Sequence, residues 1–224
     1  MNHNTLLKHF YKENYLLFKN ELSDVPDSDM LELGSGAGFI KEYIPECITS
    51  DIRNLDGIDQ VIDATALPYE SQSLSGICMI NVFHHISNVG KFLQEADRTL
   101  KPSGKIVMIE PSNTRWARLI YKYLHHEPFE TDNSSWKLPP GDPFYVANGA
   151  LPWMVFKRDW QEITSRLFPN FIIEKMQLKY PLLYLLSGGL SWPQIVPKRL
   201  GIRLDNLFGG GMFYEIVISK KPSE

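Results

Sequence analysis

The sequence predicts an α/β protein built on a doubly wound, mostly parallel sheet with helices on both faces. Two observations lead to it: short apolar runs alternate with helical segments in the first half, and one run ends in a glycine-rich turn. Strands recurring between helices indicate crossover connections and parallel pairing. The runs are also nearly continuous in apolar residues, as in strands covered on both faces.

Leu6, Leu7, Phe10, Tyr11, Leu17 and Phe18 fall at helical spacing and predict a helix over 5–22. SDVPDSD breaks the pattern, and MLELG is a short strand feeding the glycine turn. A helix over 39–44 is expected next, stopped at Pro45. CITSDI and QVID read as strands, and SLSGICMINVF as a buried strand beginning near Gly76. Residues 90–100 form an amphipathic helix ended by the turn KPSG, and KIVMIEP is a buried strand closed by Pro111. Beyond it, helices are expected over 115–124 and 158–168, and strands at FIIEKMQL and MFYEIVISKK. Two long irregular stretches, 125–155 and 180–211, lie between these elements, and all five tryptophans follow Pro111. Long loops of such composition read as lids or binding loops more than as disorder.

Composition excludes several classes. With 43% hydrophobic and 22% charged residues, 224 residues suffice for a globular core. A net charge of −3 offers no general field for nucleic acid. Cys47 and Cys78 sit in apolar runs and are expected as buried, unpaired thiols, which suits a reducing compartment. No signal-peptide pattern opens the sequence. The most apolar stretch, 178–196, is broken by Pro181, Gly188, Gly189 and Pro193, short of the ~18 apolar residues a span needs. A cytoplasmic protein without stable membrane insertion is expected.

The segment LELGSGAGF places Glu32, Gly34, Gly36 and Gly38 at alternate positions. Glycine permits both the sharp turn and the close approach of backbone to a ligand. A helix start behind the turn would offer free N–H groups to an anionic group. A dinucleotide fingerprint G-x-G-x-x-G/A would need a small residue at position 39, where Phe39 stands. Asp51, seventeen residues past Gly34, ends the second strand where an acid can hold ribose hydroxyls.

Taken with VIDATALP, INVFHHI and QEADRTLKPSGKIVMIEP, the turn resembles class I S-adenosylmethionine (SAM)-dependent methyltransferases of the type 11 (UbiE-like) branch. The likeness covers about Met30 to Pro111 well and the remainder in outline. It implies a Rossmann-like seven-stranded sheet with the last strand antiparallel and an aromatic-rich C-terminal insertion or lid. It also implies one domain over 1–224, cofactor-binding to about residue 111 and substrate-side from about 112. SAM would be the cofactor and S-adenosylhomocysteine the product. By the resemblance, Gly34, Ser35, Gly36 and Gly38 hold the methionine end, and Glu32 steadies the loop or reaches the amino group. Asp51 and Ile52 meet the ribose, Asp63 and Ala64 the adenine, and Asn81 and Phe83 line the cofactor after the fourth strand.

His85 is the candidate general base, or else it packs beside the cofactor and orients the loop; Glu110 is a second candidate base. His125, His126 and Glu127 raise a metal site with Glu110, but adjacent histidines on a helix point about 100° apart. Exposure at a helix end is the preferred reading there, and no metal ligands are expected. The (Asp/Asn)-Pro-Pro-aromatic and Pro-Cys signatures of base methyltransferases are absent after the fourth strand. The expected acceptor is a small or lipid-like molecule, with a homodimer through the aromatic half as one assembly. The loop LLYLLSGGL reads as a lid or as a membrane contact, the latter disfavoured by the lack of flanking basic clusters, or its aromatics form a second core layer or dimer contact. Competing readings are a nucleotide- or NAD-dependent enzyme on the same sheet, and a non-catalytic SAM-binding module.

Overall fold

The computed structural model describes residues 4–23, 29–36, 38–124, 127–142, 145–188 and 193–222. His125, His126 and part of the 182–190 loop lie outside them. Seven strands form one sheet in the order β3-β2-β1-β4-β5-β7-β6. They are β1 (Met30–Glu32), β2 (Ile48–Asp51), β3 (Gln60–Val61), β4 (Leu74–Ile80), β5 (Leu100–Pro111), β6 (Phe171–Lys179) and β7 (Phe213–Lys220). The first five run parallel, and β7 is antiparallel to both neighbours. The doubly wound sheet and its antiparallel last strand are as the sequence led one to expect.

Alternation along the central strands separates two cores. Ile77, Met79, Ile106, Met108, Ile216 and Ile218 face one side. Cys78, Ile80, Val107, Ile109 and Val217 face the other. The first face is covered by α2 (Val89–Thr99) and by the helical run that begins with α4 (Leu151–Trp153). The second face is covered by α1 (Thr5–Glu21), α3 (Arg115–Leu124) and α6 (Leu183–Ser187). The side chain of Asn4 caps α1 by accepting from the Leu7 N–H at 2.8 Å. Both cysteines are buried and free, as expected.

Four local expectations need correction. Residues 39–44 form a single 3-10 turn at Ile40–Glu42, not a helix. Phe39 lies outside the helical region at φ −139, ψ 36, and the short stretch before Pro45 cannot repay helix nucleation. No helix N-terminus therefore stands behind the glycine turn. KPSG is not a turn that ends an element but part of β5, with a shifted register opposite Leu74 and Gly76 and Ser103 at φ 65. The ladder bulges there and continues.

The helix expected from residue 158 starts at Leu151, with Pro152 in its first turn. It continues through wide π turns at Met154–Arg158 and Trp160–Thr164 to α5 (Ser165–Leu167). Bonds such as Asp159 N–H to Met154 C=O, 2.8 Å, span five residues and shift the apolar period, which hides the start. The 180–211 stretch also holds α6 and a further helix, α7 (Lys198–Leu207). Each is short and interrupted by Gly or Pro. Among the described residues, no helix is long and apolar enough to cross a membrane.

Candidate active site

β1 leads to β2 on one side and lies against β4 on the other, so a crevice opens between β1 and β4 at their C-terminal ends. Open α/β sheets bind ligands at such a switch point. A cavity of about 1210 Å³ lies there, larger than the roughly 300–1,000 Å³ usual for one small ligand. It runs from Gly34, Ser35 and Gly36, past Asp51 and Asp63, to His84, His85 and Glu127. Ile52, Ala64 and Asn81 line it too, so most residues expected at the cofactor meet in one space.

The glycine turn is forced by its surroundings. Gly34 stands at φ +65, and a Cβ there would come within 2.3 Å of the Val82 side chain. Gly36 stands at φ +51 with nothing within 4 Å of a Cβ position, which leaves open space above its backbone. Its N–H donates to Asp51 Oδ2 at 3.2 Å, while Asp51 Oδ1 accepts from the Arg53 N–H at 3.0 Å. Asp51 thus ties the end of β2 to the turn, with lone pairs left for a diol. Asp63 is exposed and accepts from the Thr65 N–H and hydroxyl through Oδ1, at 2.8 and 2.9 Å.

Three buried oxygens in this region have no hydrogen-bond partner, Glu32 Oε2, the Tyr15 hydroxyl and Asn81 Oδ1, and of these residues Asn81 lines the cavity. Burial pushes the Glu32 carboxyl up to about 7. Asn81 sits at φ 57 as the chain leaves β4. Buried polar groups left unpaired are costly, so Asn81 Oδ1, on the cavity lining, fits a site completed by a polar ligand.

Glu32, Gly38 and Phe83 do not line the cavity. Gly38 is packed against Tyr15, whose hydroxyl would lie 2.5 Å from an added Cβ. The Phe83 ring turns into the core, 5.0 Å from the Phe156 ring and 6.0 Å from Phe92. Phe83 anchors the 3-10 turn Phe83–His85 from beneath, and the two histidines that follow are presented to the cavity.

Glu110, expected as a base facing substrate, is fully buried instead. Ile109 is in register with Ile80, so the next residue of β5 reaches the turn that follows β4. Glu110 Oε1 accepts from the N–H groups of Val82 and Phe83 at 2.7 and 2.8 Å, and Oε2 lies 2.6 Å from His84 Nδ1. It holds the histidine turn and has no face toward the cavity.

On the cavity side, Glu127 Oε2 lies 3.1 Å from His84 Nε2, and Glu127 Oε1 lies 3.4 Å from His85 Nε2. His85 Nδ1 is 3.2 Å from the Val146 carbonyl, and the imidazole centroids are 4.3 Å apart. Burial alone would lower His84, but Glu110 and Glu127 outweigh it and hold the ring protonated up to about 9. Burial would raise Glu127; bonds to both histidines overcome this and hold it far below the usual carboxylate range. The sequence reading chose His85 alone. The doublet His84-His85 was the signal for its partner, whereas nothing in the sequence placed Glu127 beside it.

The roof was not foreseen. Tyr11 of α1 and Tyr184, Leu185 and Gly188 around α6 all line the cavity. Asn4 Nδ2 donates to the Ser187 carbonyl at 2.6 Å, and Gln194 Oε1 accepts from the Leu6 N–H at 3.0 Å. Phe10 packs its ring 5.0 Å from Tyr180 and 5.2 Å from Tyr184.

A glycine turn at the switch point, acids at the next strand ends and an antiparallel last strand define the class I methyltransferase arrangement. Residues 31–108 match a family model described as a methyltransferase domain, and together with the fold this supports a SAM-dependent methyltransferase. No curated protein matches its sequence. Among solved structures, the YcgJ protein of Bacillus subtilis is 14% identical, with 95% of this chain and 100% of that one covered and a TM-score of 0.54. The 1,6-didemethyltoxoflavin-N1-methyltransferase of Burkholderia thailandensis is 12% identical over 95% of this chain and 78% of that one, TM-score 0.53. The geranyl diphosphate C-methyltransferase of Streptomyces coelicolor is 12% identical over 95% and 80%, TM-score 0.54. At these identities the likeness is one of fold.

Proposed function

We propose that the chain methylates a small or lipid-like molecule with an apolar or ring-bearing body, held at the His84–His85–Glu127 end of the cavity. The observation that supports this reading most is the continuity of one cavity from the glycine turn to that cluster, with room beyond a single ligand. Ile120, Tyr121, Met212 and Phe213 give the far wall an apolar surface. The same fold serves a flat heterocycle and an isoprenoid diphosphate in the two named enzymes above, so the acceptor class rests on this wall. We read the chain as one domain, with acceptor recognition mainly in residues 112–224. Two buried free thiols suit work in a reducing compartment such as the cytoplasm.

In this reading the cofactor, when bound, supplies a methyl group on a sulfonium. Gly34 and Gly36 give its methionine end close access to backbone, and Asn81 offers its unpaired carbonyl. Asp51 accepts the ribose hydroxyls, and Asp63 with the Ala64 N–H meets the adenine. Orienting the acceptor in line with the methyl carbon is the protein's main contribution. His85 would take the acceptor's proton as the methyl group is transferred, with Nδ1 held by the Val146 carbonyl and Nε2 exchanging its contact with Glu127 for the acceptor. Glu110 acts one layer back as a positioning residue.

Isothermal titration with SAM and S-adenosylhomocysteine tests the cofactor site, and no heat with either would refute it. Asp51→Ala is expected to weaken SAM binding by about 1.5–3 kcal/mol, the range for hydrogen bonds to a charged group. Unchanged affinity would place the ribose elsewhere.

Glu32 gives a pH test. Its carboxyl is raised from 4.5 to about 7 by burial, so near pH 6 it is largely protonated in the free protein. Glu32 stands behind the cavity lining, and a cationic group bound in front of it favours the ionised form. SAM binding at pH 6 is therefore expected to release a proton, and affinity to rise from pH 6 to pH 8. Titration in two buffers of different ionisation enthalpy measures the release, which Glu32→Gln should abolish. For stability the sign is opposite: the fold holds this proton more tightly than the unfolded chain. The contribution is thus greatest below 4.5 and declines as pH rises through about 7.

A further inference from the structure

We propose that His84, His85 and Glu127 form a binding site for one divalent transition-metal ion at the acceptor end of the cavity. One donor atom from each, two imidazole nitrogens and a carboxylate oxygen, lie within 4.8 Å of one another. Donors at 2.0–2.1 Å from a tetrahedral zinc ion stand about 3.3 Å apart. The spacings here are 3.1 Å between His84 Nε2 and Glu127 Oε2 and 3.4 Å between His85 Nε2 and Glu127 Oε1. The two spacings are to the two oxygens of one carboxylate, and the three donors, within 4.8 Å of one another, converge on one point that an ion could occupy.

The groups behind these donors point the same way. Metal-binding histidines usually give their second ring nitrogen to a carboxylate or backbone carbonyl, which fixes the tautomer and aims the free nitrogen. His84 does so with Glu110 Oε2 at 2.6 Å, and His85 with the Val146 carbonyl at 3.2 Å. Glu110 is itself fixed by the Val82 and Phe83 N–H groups. Adjacent histidines converge here because they occupy a 3-10 turn held by Glu110, with ring centroids 4.3 Å apart. Once an ion displaces the His84 proton, two imidazoles and two carboxylates carry a charge of −2, which a divalent ion neutralises.

The donor set selects the ion class. Imidazole with one carboxylate suits zinc, iron(II) or cobalt(II), whereas calcium and magnesium favour all-oxygen sites. Three protein ligands leave positions open, as in catalytic rather than structural zinc sites. His84, His85 and Glu127 all line the cavity, so those positions fall where an acceptor oxygen would enter. The inference deepens the proposed function in placing the ion beside the acceptor; ion binding itself does not depend on that function. With an ion bound, His85 would be a ligand and not a base, and the acceptor's proton would pass to solvent; the base role of His85 belongs to the ion-free protein.

The test is titration of the chelator-treated full chain with Zn²⁺, and with Co²⁺ followed by visible absorption. One equivalent is expected per chain. Glu127→Gln and His85→Ala should each weaken binding at least ~10-fold, the scale seen even for groups behind the ligands. Circular dichroism establishes that both variants are folded. Absence of saturable one-to-one binding, or equal affinity in wild type and both folded variants, overturns the proposal and leaves a metal-free ion-pair cluster. SAM titration in parallel separates the two readings. Metal binding without SAM binding refutes the methyl-transfer site alone, and SAM binding without metal binding refutes this site alone.

Discussion

Glu110→Ala is expected to destabilise the fold by about 3–5 kcal/mol, the range for removing one partner of a buried charged pair. The carboxylate is fully buried and satisfies two backbone N–H groups and an imidazole at once. Alanine would leave all three without that acceptor, and no water path replaces it easily in a fully buried position. Urea unfolding measures the loss. A change below about 1 kcal/mol, at the scale of an ordinary hydrogen bond, would mean that the turn after β4 is held by other contacts. Glu110→Gln should recover part of the loss, because an amide oxygen can still accept from Val82 and Phe83. The prediction separates support of the histidine turn from direct proton transfer, since a base facing substrate would cost turnover and little stability.

His85→Ala is expected to have the largest effect on turnover, a fall of about 10²–10⁴-fold, as for loss of a general acid–base group. SAM affinity should stay near wild type, because the residues proposed to hold the cofactor, Gly34, Gly36, Asp51 and Asp63, are other parts of the lining. Stability should change less than for Glu110, since the His85 side chain is 20% exposed and that of Glu110 fully buried. The measurement pairs steady-state turnover with SAM titration, using an acceptor found by screening ring-bearing and isoprenoid compounds. Equal losses in turnover and SAM affinity would assign His85 to packing beside the cofactor.

The cofactor end was legible because local chemistry specifies it. A strand must turn at Gly34 with positive φ, and only a few residue types allow it; the acids at 51 and 63 follow at strand ends. The sheet was legible for a similar reason, since buried parallel strands such as LSGICMI are apolar throughout. The helix over 39–44 was misread because apolar spacing says nothing of length, and the stretch between Gly38 and Pro45 is too short to nucleate. The start at Leu151 was hidden by π turns that break the 3.6-residue period.

The acceptor end was largely illegible. Glu127 meets His84 across 43 residues, and no pattern in either segment points to the other. Glu110 looked like a base because it ends a central strand, but the register of β4 on β5 turns it inward. The roof depends on contacts between the two ends of the chain, which no local rule predicts.

That roof also bears on the order in which the molecule becomes functional. Asn4 and Ser187 are 183 residues apart, and Leu6 and Gln194 are 188 apart. The glycine turn and its acids, by contrast, span only residues 32–63. Contacts between distant segments carry the larger loop-closure cost and form late. A folding chain can therefore shape its nucleotide crevice while the opposite chamber still has no ceiling. Selectivity for the molecule to be methylated then belongs to the completed tertiary structure, and a fragment that retains the sheet and its crevice would lack it.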